Sequence, residues 1–212
     1  MELFVFILEM IGTVSFAISG AMIGLKQRMD IFGICVMGVV TACGGGVLRD
    51  LFIGQLPPVM FVDPVYALTA VIVSIIIFLP SVRGLLGKVS HAYDEIQRVA
   101  DSAGLGVFTA AGVAVAMHAG YGENFFFALF LGTITGVGGG VMRDVLASLP
   151  PYIFVKHIYA CASMIGAAIC ILLWPKAGES MSMLICCIVV FAIRLLAAKF
   201  RWSLPKAEGL TL

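Results

Sequence analysis

The stretch GGGVLRD at residues 44–50, followed by Leu-Pro-Pro at 56–58, decides the fold of this chain because it occurs twice. The second copy reads GGGVMRD at 138–144 and is again followed by Leu-Pro-Pro, at 149–151. Similar spacings continue on both sides of the two copies: Glu9, Gly12, Phe16 and Gly20 correspond to Asp101, Gly104, Phe108 and Gly112, and Phe61, Val62 and Tyr66 correspond to Phe154, Val155 and Tyr159. The sequence therefore contains an internal repeat.

The composition is that of an integral membrane protein. Of the 212 residues, 61% are hydrophobic and 12% are charged, and the mean hydropathy of +1.11 lies far above the values of soluble domains. The 13 Lys and Arg residues balance 12 Asp and Glu residues, which leaves no basic field for binding nucleic acid. These numbers exclude a soluble enzyme with one apolar core, a disordered chain, a secreted disulfide scaffold and a nucleic-acid-binding protein.

The sequence carries no motif of an enzyme or of an ATP-driven pump. It has no nucleotide-binding loop, no nucleophile elbow and no metalloprotease motif. The 6 cysteines fall inside apolar runs without the paired spacing of a zinc or redox site, so we expect buried free thiols. We predict no cofactor and no metal, and the remaining function class is passive or secondary transport.

Charge, Pro and Gly divide the chain into apolar segments that are long enough to cross a membrane, since a spanning helix takes about 20 residues. Seven spans are predicted, at about residues 4–24, 31–54, 64–80, 97–117, 124–148, 153–174 and 180–198. Asp63 followed by Pro64 is typical of a helix start and begins the third span. Seven spans leave only short loops, which predicts one membrane domain over residues 1–212.

The repeat groups these spans as three, three and one. Repeat one covers about residues 5–80, repeat two covers about 98–175, and an extra helix at about 180–198 stands outside the repeat. Because three is odd, the second copy enters the membrane from the side opposite to the first. The predicted fold is therefore an all-α inverted repeat with seven transmembrane helices.

The distribution of Lys and Arg predicts the orientation of the chain, because basic loops are retained inside. With the N-terminus outside, the outer loops hold only Lys176. The inner segments and their flanks then collect the other basic residues that border the spans: Lys26, Arg28, Arg83, Lys88, Arg98, Lys156, Arg194, Lys199, Arg201 and Lys206. We therefore predict an outer N-terminus and an inner C-terminus, which an odd number of spans requires.

The triple glycines are the first candidate pore residues. They are Gly44, Gly45 and Gly46 in the second span and Gly138, Gly139 and Gly140 in the fifth. Each glycine weakens a helix by about 1 kcal/mol relative to alanine, so we expect both helices to kink or break there, beside a hydrated path that satisfies the freed backbone. The alternative is close helix packing, which we favour for the four isolated glycines of the repeat: Gly12, Gly20, Gly104 and Gly112.

Two arginines within the predicted spans are candidate pore or gate charges, and each is followed by an aspartate. The pairs are Arg49 with Asp50 and Arg143 with Asp144. An arginine near a helix centre costs about 2.5 to 3.5 kcal/mol, so a counter-charge is needed, either from the same copy or from across the pseudo-two-fold axis. Alternatively, both pairs lie at the membrane interface and the arginines snorkel to headgroups. The repetition of the pair favours a shared site.

Glu9 and Asp101 are weaker pore candidates at matched positions of the repeat. Each is a single carboxylate inside an apolar helix, which fits a cation pathway. Both also lie near a span end, so a position at headgroup level is the alternative. Arg194 is predicted to snorkel to the interface. The three histidines show no metal-ligand spacing and are expected to be solvated: His91, His118 and His157.

The doubled GGGxxRD segment, the Leu-Pro-Pro after each copy and the three-three-one arrangement resemble the prokaryotic branch of the trimeric intracellular cation (TRIC) channel family over about residues 5–200. The resemblance implies a homotrimer in a prokaryotic inner membrane. Each protomer would hold its own pore, bounded by the kinked second and fifth helices, and would conduct monovalent cations, chiefly potassium. In such a pore, either Asp50 and Asp144 neutralise the arginines or an arginine acts as a movable gate.

Related bacterial sequences are also labelled as glycine transporters, and one physical argument supports that label. An unpaired positive charge beside a path repels a permeant cation, whereas a paired arginine and aspartate suit a zwitterion. Secondary transport of glycine or of another small zwitterion is therefore the alternative function.

Overall fold

The computed structural model describes residues 2–87, 90–155 and 158–202, and every regular element within these ranges is a helix. The ten α-helices are α1 Glu2–Lys26, α2 Ile31–Ile53, α3 Val59–Val62, α4 Val65–Phe78, α5 Pro80–Gly87, α6 Ser90–Ala116, α7 Phe125–Leu146, α8 Tyr152–Val155, α9 Tyr159–Ala177 and α10 Glu179–Lys199. A π-helical turn, Met117–Tyr121, extends α6. Lys88, Lys156, His157 and Lys206 lie outside the described residues, and the side chain of His91 is not described either.

Matched capping residues begin the two helices that carry the repeated motif. Asp30 precedes α2, and its carboxylate accepts a hydrogen bond of 2.7 Å from the Gly33 N–H. Asn124 precedes α7, and its side-chain oxygen accepts a hydrogen bond of 3.0 Å from the Phe127 N–H. Each cap satisfies a backbone donor of the first turn, so local sequence fixes where both helices start.

Six of the described helices are long and apolar enough to cross a membrane. They correspond to six of the seven predicted spans. The predicted third span corresponds to α4, an apolar helix of 14 residues that is about 21 Å long at the helical rise. Asp63 accepts a hydrogen bond of 3.1 Å from the Val65 N–H at its start. The protein is therefore an all-helical, multi-pass membrane protein.

The long helices pack as a bundle in which α1, α2, α6 and α7 are mutual neighbours. Helix α4 packs against α1 and α2, while α9 and α10 pack against α6 on the other flank. We call the end of the bundle where α1 begins the N-side and the end where α10 finishes the C-side. The Lys26 ammonium lies 3.3 Å from the Asp94 carboxylate at the C-side and joins the end of α1 to the start of α6.

The triple glycines do not break their helices, which corrects that part of the expectation. Both α2 and α7 continue through them without interruption. A Cβ atom on Gly45 would overlap the backbone carbonyl of Thr135, and one on Gly139 would overlap the carbonyl of Thr41. The two glycines let the backbones of α2 and α7 touch, and this packing outweighs the low helix propensity of glycine.

The isolated glycines of the repeat act as packing residues, as expected. A Cβ atom on Gly12 would lie 2.7 Å from the Val107 side chain, and one on Gly104 would overlap Phe16. Gly20 and Gly112 lie against the backbone of α2 and α7 in the same manner. Gly12 and Gly104 let α1 lie close to α6. Gly20 lets α1 lie close to α2, and Gly112 lets α6 lie close to α7.

Candidate functional site

The first arginine of the repeat is held by the aspartate that follows it. Arg49 Nε donates a hydrogen bond of 2.9 Å to Asp50 Oδ1. The second carboxylate oxygen of Asp50 accepts a hydrogen bond of 2.8 Å from the Val59 N–H. Asp50 thus neutralises Arg49 and also fixes the start of α3.

The second arginine repeats this geometry. Arg143 Nε lies 2.9 Å from Asp144 Oδ1, and the Tyr152 N–H donates a hydrogen bond of 2.8 Å to Asp144 Oδ2. Both pairs therefore form within one copy of the motif and not across the pseudo-two-fold axis. Arg49 and Arg143 expose 7% and 0% of their surface, so the alternative of snorkelling to headgroups is wrong.

Asp101 gives the second arginine an additional partner. Arg143 Nη1 lies 2.6 Å from Asp101 Oδ1 and 2.6 Å from the Ser19 hydroxyl, which belongs to α1. Asp101 is completely buried, so its carboxylate does not contact lipid headgroups. The contact joins three helices of the bundle around one guanidinium group.

Arg194 belongs to the same cluster, so it does not snorkel to the lipid headgroups as the sequence predicted. Its side chain is buried, and its Nη2 lies 4.0 Å from Asp101 Oδ2. The guanidinium group also stacks over the ring of Tyr159 at 4.6 Å. The sequence missed this position because the partners of Arg194 lie on other helices.

The charges of this buried cluster balance. Two guanidinium groups, of Arg143 and Arg194, face two carboxylates, of Asp101 and Asp144. Buried charges are tolerated when each is paired and hydrogen-bonded, because the attraction offsets the lost hydration. The cluster is therefore an electrically neutral element of the bundle, and Ser19 is a member that no sequence pattern indicated.

Glu9, the counterpart of Asp101, has different surroundings. The Tyr66 hydroxyl donates a hydrogen bond of 2.7 Å to Glu9 Oε2. Within the described part of the chain, no ion pair joins Glu9 to Arg49. The two copies thus place a carboxylate at the same position, yet only Asp101 is bound by an arginine.

A cavity of about 300 Å³ opens beside Glu9 in repeat one. Its polar lining comes from the following residues: Glu9, Thr13, Arg49, Asp50, Gln55 and Tyr66. Two carboxylates and one guanidinium group give this space a net negative charge. Gly46 also lines it, and a Cβ atom there would meet only Arg49 Nη2 at 3.8 Å. The third glycine of the motif therefore faces the cavity, while Gly45 faces α7.

A second cavity of about 470 Å³ adjoins the first toward the N-side, since Glu9, Tyr66 and Val115 line both. Glu179 and His118 stand at its far end, with His118 Nε2 3.4 Å from Glu179 Oε2. The His118 side chain is 62% exposed, which agrees with its predicted solvation. The two cavities form one acidic space.

The third motif glycine of repeat two packs against a side chain instead of bordering a cavity. Gly140 faces the Tyr159 hydroxyl, which a Cβ atom would approach to 2.9 Å. Gly138 packs against the Leu48 side chain of the opposite helix. In the same way, Gly44 of the first copy packs against the Met142 side chain. The third glycine of each motif therefore has different surroundings, a cavity in repeat one and the Tyr159 ring in repeat two, although the motifs match.

A separate cleft of about 320 Å³ lies at the C-side. Its charged lining residues are Lys26, Asp94, Arg98, Arg194 and Arg201. Four cations face one carboxylate, so this cleft is basic, in contrast to the acidic space at the N-side. The stacked rings of Phe16 and Phe108, 5.3 Å apart, lie in the bundle between these two ends.

Comparison with known proteins identifies relatives over nearly the whole chain. The family described as glycine transporter matches residues 6–81 and 98–175. The UPF0126 inner membrane protein YadS of Escherichia coli K12 is 37% identical over 204 residues, which cover 95% of both chains. The UPF0126 membrane protein YvgT of Bacillus subtilis 168 is 32% identical over 199 residues, which cover 94% of both.

Solved structures extend the comparison to the fold. A prokaryotic TRIC channel in 0.5 M KCl is 30% identical with a TM-score of 0.86, covering 96% of this chain and 100% of that one. The TRIC trimeric intracellular cation channel orthologue from Rhodobacter sphaeroides is 27% identical with a TM-score of 0.84, covering 93% and 98%. A TRIC channel from C. elegans, at 13% identity and a TM-score of 0.63, shares the fold.

Proposed function

The chain belongs to the prokaryotic TRIC family, also described as glycine transporter, and we propose that it is a channel for monovalent cations, chiefly potassium. The family and fold are those of channels and transporters, not of enzymes. Similar structures described as cation channels support the proposal. One observation carries it at the level of residues, namely the acidic space that runs from Glu179 past Glu9 to Asp50.

We further propose seven membrane-crossing helices, with α4 as the third, in an inverted repeat of residues 5–80 and 98–175 followed by a helix at 180–198. The N-side would face outward and the C-side inward. The basic residues at the C-side support this orientation, because Lys and Arg are retained inside. The acidic space is then an outer vestibule, which attracts cations before they enter.

The proposed path follows the faces of α2 and α7 in each protomer, with Gly46 as the motif glycine that borders water in repeat one. The Arg143 cluster adjoins the basic cleft, which Arg194 also lines, and the acidic space lies toward the N-side of it. Arg143 is the proposed gate charge near the C-side, and Arg49 is the proposed pore charge in the vestibule.

A homotrimer with one pore per protomer is the proposed assembly. Its support is the description of the Rhodobacter sphaeroides relative as a trimeric channel. Large apolar side chains on the outside of α2 and α7, such as Phe52 and Phe126, give the protomer surface to bury against lipid or against a second copy.

A specific observation also favours the alternative, a secondary transporter of glycine or of another small zwitterion. The 300 Å³ cavity presents the Arg49 guanidinium and the Glu9 carboxylate to one space, and these groups suit a carboxylate and an ammonium. Such a transporter would need Arg49 to exchange Asp50 for the substrate carboxylate.

Recording from the purified protein in a planar bilayer separates the two functions. With unequal potassium chloride on the two sides, a reversal potential near that of potassium supports the channel. Saturable, electrically silent uptake of labelled glycine into proteoliposomes, without such currents, would refute the channel and support the transporter.

A further inference from the structure

Glu9 and Asp101 occupy matched positions, but only one of them is available to a ligand. Asp101 is completely buried and lies 2.6 Å from Arg143. Glu9 is half-buried, borders both cavities of the acidic space and has the Tyr66 hydroxyl as its hydrogen-bond donor. The carboxylate of repeat two is therefore neutralised by an ion pair inside the protein, whereas the carboxylate of repeat one faces the vestibule.

Thr13 supplies an independent sign of a ligand beside Glu9. It lies one helical turn after Glu9 on the same face of α1 and lines the same cavity. Its side chain is 1% exposed, and its hydroxyl oxygen has no hydrogen-bond partner. Buried hydroxyl groups are almost always satisfied, so an unpartnered one that lines a cavity points to a missing ligand or water.

The matched position in repeat two lacks this oxygen. Leu105 stands one turn after Asp101, as Thr13 stands one turn after Glu9, and it is completely buried. In repeat two the carboxylate is instead bound by Arg143 and the threonine is replaced by leucine, although the hydroxyl of Tyr159, the counterpart of Tyr66, is also buried without a hydrogen-bond partner.

The charge and chemistry of the cavity select the class of ligand. Asp50 neutralises Arg49, so the negative charge of Glu9 is left over. The Tyr66 proton is donated to Glu9, which leaves the lone pairs of the phenol oxygen as acceptors. Carboxylate and hydroxyl oxygens are the ligands of hard cations. A single excess negative charge matches a monovalent ion.

We propose that Glu9 and Thr13 form a binding site for a partly dehydrated monovalent cation, that Tyr66 positions the Glu9 carboxylate, and that Asp101 is a structural counter-ion. The identification of this ion with the permeant one rests on the proposed channel function. The two copies of the repeat thus have different roles: repeat one binds the ion, and the ion pairs of repeat two stabilise the helix bundle.

A binding experiment tests the site without requiring conduction. The melting temperature of the purified protein is compared in potassium chloride and in choline chloride at equal ionic strength. We expect potassium to raise the Tm of the parent, because a ligand that binds only the folded state stabilises it. Glu9→Gln and Thr13→Val should lose this shift. Glu123→Gln and Thr133→Val are the matched controls, because Glu123 is exposed and Thr133 bonds the Leu129 carbonyl of its own helix.

Conductance is the second readout. At low potassium, Glu9→Gln should conduct about tenfold less than the parent, because a fixed charge concentrates the counter-ion. At high potassium the difference should nearly vanish, because the vestibule saturates. A parent without a potassium-dependent Tm, or a Glu9→Gln variant that keeps the full shift, would overturn the site. A parent that shows the shift but conducts no ions leaves the site intact and refutes the channel instead.

Asp101→Asn distinguishes the two roles. It should lower the Tm in both salts while keeping the potassium-dependent shift. Loss of the shift in Asp101→Asn together with an unchanged shift in Glu9→Gln would reverse the assignment and contradict the proposal.

Discussion

Arg143 Nη1 lies 2.6 Å from Asp101 Oδ1, a contact between α7 and α6 in which both side chains are completely buried. Ser19 of α1 and Arg194 of α10 surround the same two groups. The equivalent pair in repeat one, Arg49 and Glu9, makes no such contact and lies beside water-accessible space. This difference should make repeat two more sensitive than repeat one to the loss of a carboxylate.

Asp101→Asn should destabilise the protein by about 3 to 5 kcal/mol, because it leaves two buried guanidinium groups with one carboxylate. Glu9→Gln should cost about 1 kcal/mol or less, since it breaks only a partly buried hydrogen bond. Thermal unfolding in detergent compares them, with the exposed Asp94→Asn as control. Equal losses for Glu9→Gln and Asp101→Asn would contradict the assignment of the cluster.

The aspartates of the repeated motif should also differ. Asp50→Asn and Asp144→Asn each remove the partner of an arginine, and Asp144→Asn should be worse by about 1 to 3 kcal/mol. The reason is that Arg143 has no access to solvent, whereas Arg49 borders a cavity in which water can hydrate it. Urea or heat denaturation of the two variants in one detergent measures the difference, and the opposite order would show that the cavity is dry.

Neighbouring glycines of one motif should respond differently to alanine. Gly45→Ala forces a Cβ atom into the Thr135 carbonyl and should cost about 1 to 3 kcal/mol or separate α2 from α7. Gly46→Ala meets only Arg49 Nη2 at 3.8 Å and should fold normally. Size-exclusion profiles and Tm values test this pair, with Gly139→Ala as the repeat-two equivalent of Gly45→Ala. A Gly45→Ala variant as stable as Gly46→Ala would contradict the helix contact.

Arg49→Ala separates the two candidate functions. In a channel it should change conductance or open probability and keep cation selectivity, because it removes a positive charge from the vestibule. In a zwitterion transporter it should eliminate saturable uptake of glycine. Single-channel recording and proteoliposome uptake give both readouts. Currents identical to those of the parent would place Arg49 away from the path.

The proposed orientation predicts opposite accessibility for two exposed loop positions. Gly122 lies in the N-side loop before α7, and Gln27 follows α1 at the C-side. Cysteines introduced there should react with membrane-impermeant reagents from outside and inside the cell respectively, with the unmodified chain as control for its native thiols. Labelling of both from the same side would refute the inverted topology.

The sequence identified the charged residues that pair with one another better than it predicted their surroundings. Repetition identified both Arg-Asp pairs and the matched carboxylates, because a repeat exposes equivalent positions without any knowledge of contacts. It misjudged the triple glycines, since helix propensity is a local property and the contact between α2 and α7 is not. The burial of Arg194 was missed for a similar reason: its partners, Asp101 and Tyr159, lie on other helices.

Arg49 borders a cavity whereas Arg143 is completely buried, and this difference has a consequence for how such a protein can arise. Two separate copies of a single three-helix unit, related by a two-fold axis, would have to present identical sites, because a symmetric dimer uses the same surface twice. One site could not be sealed while the other stayed open. Fusion of the two units into one chain lifts that constraint. Ser19 and Leu105 lie in different halves of the chain, and each can be substituted without changing the residue at the matched position of the other repeat.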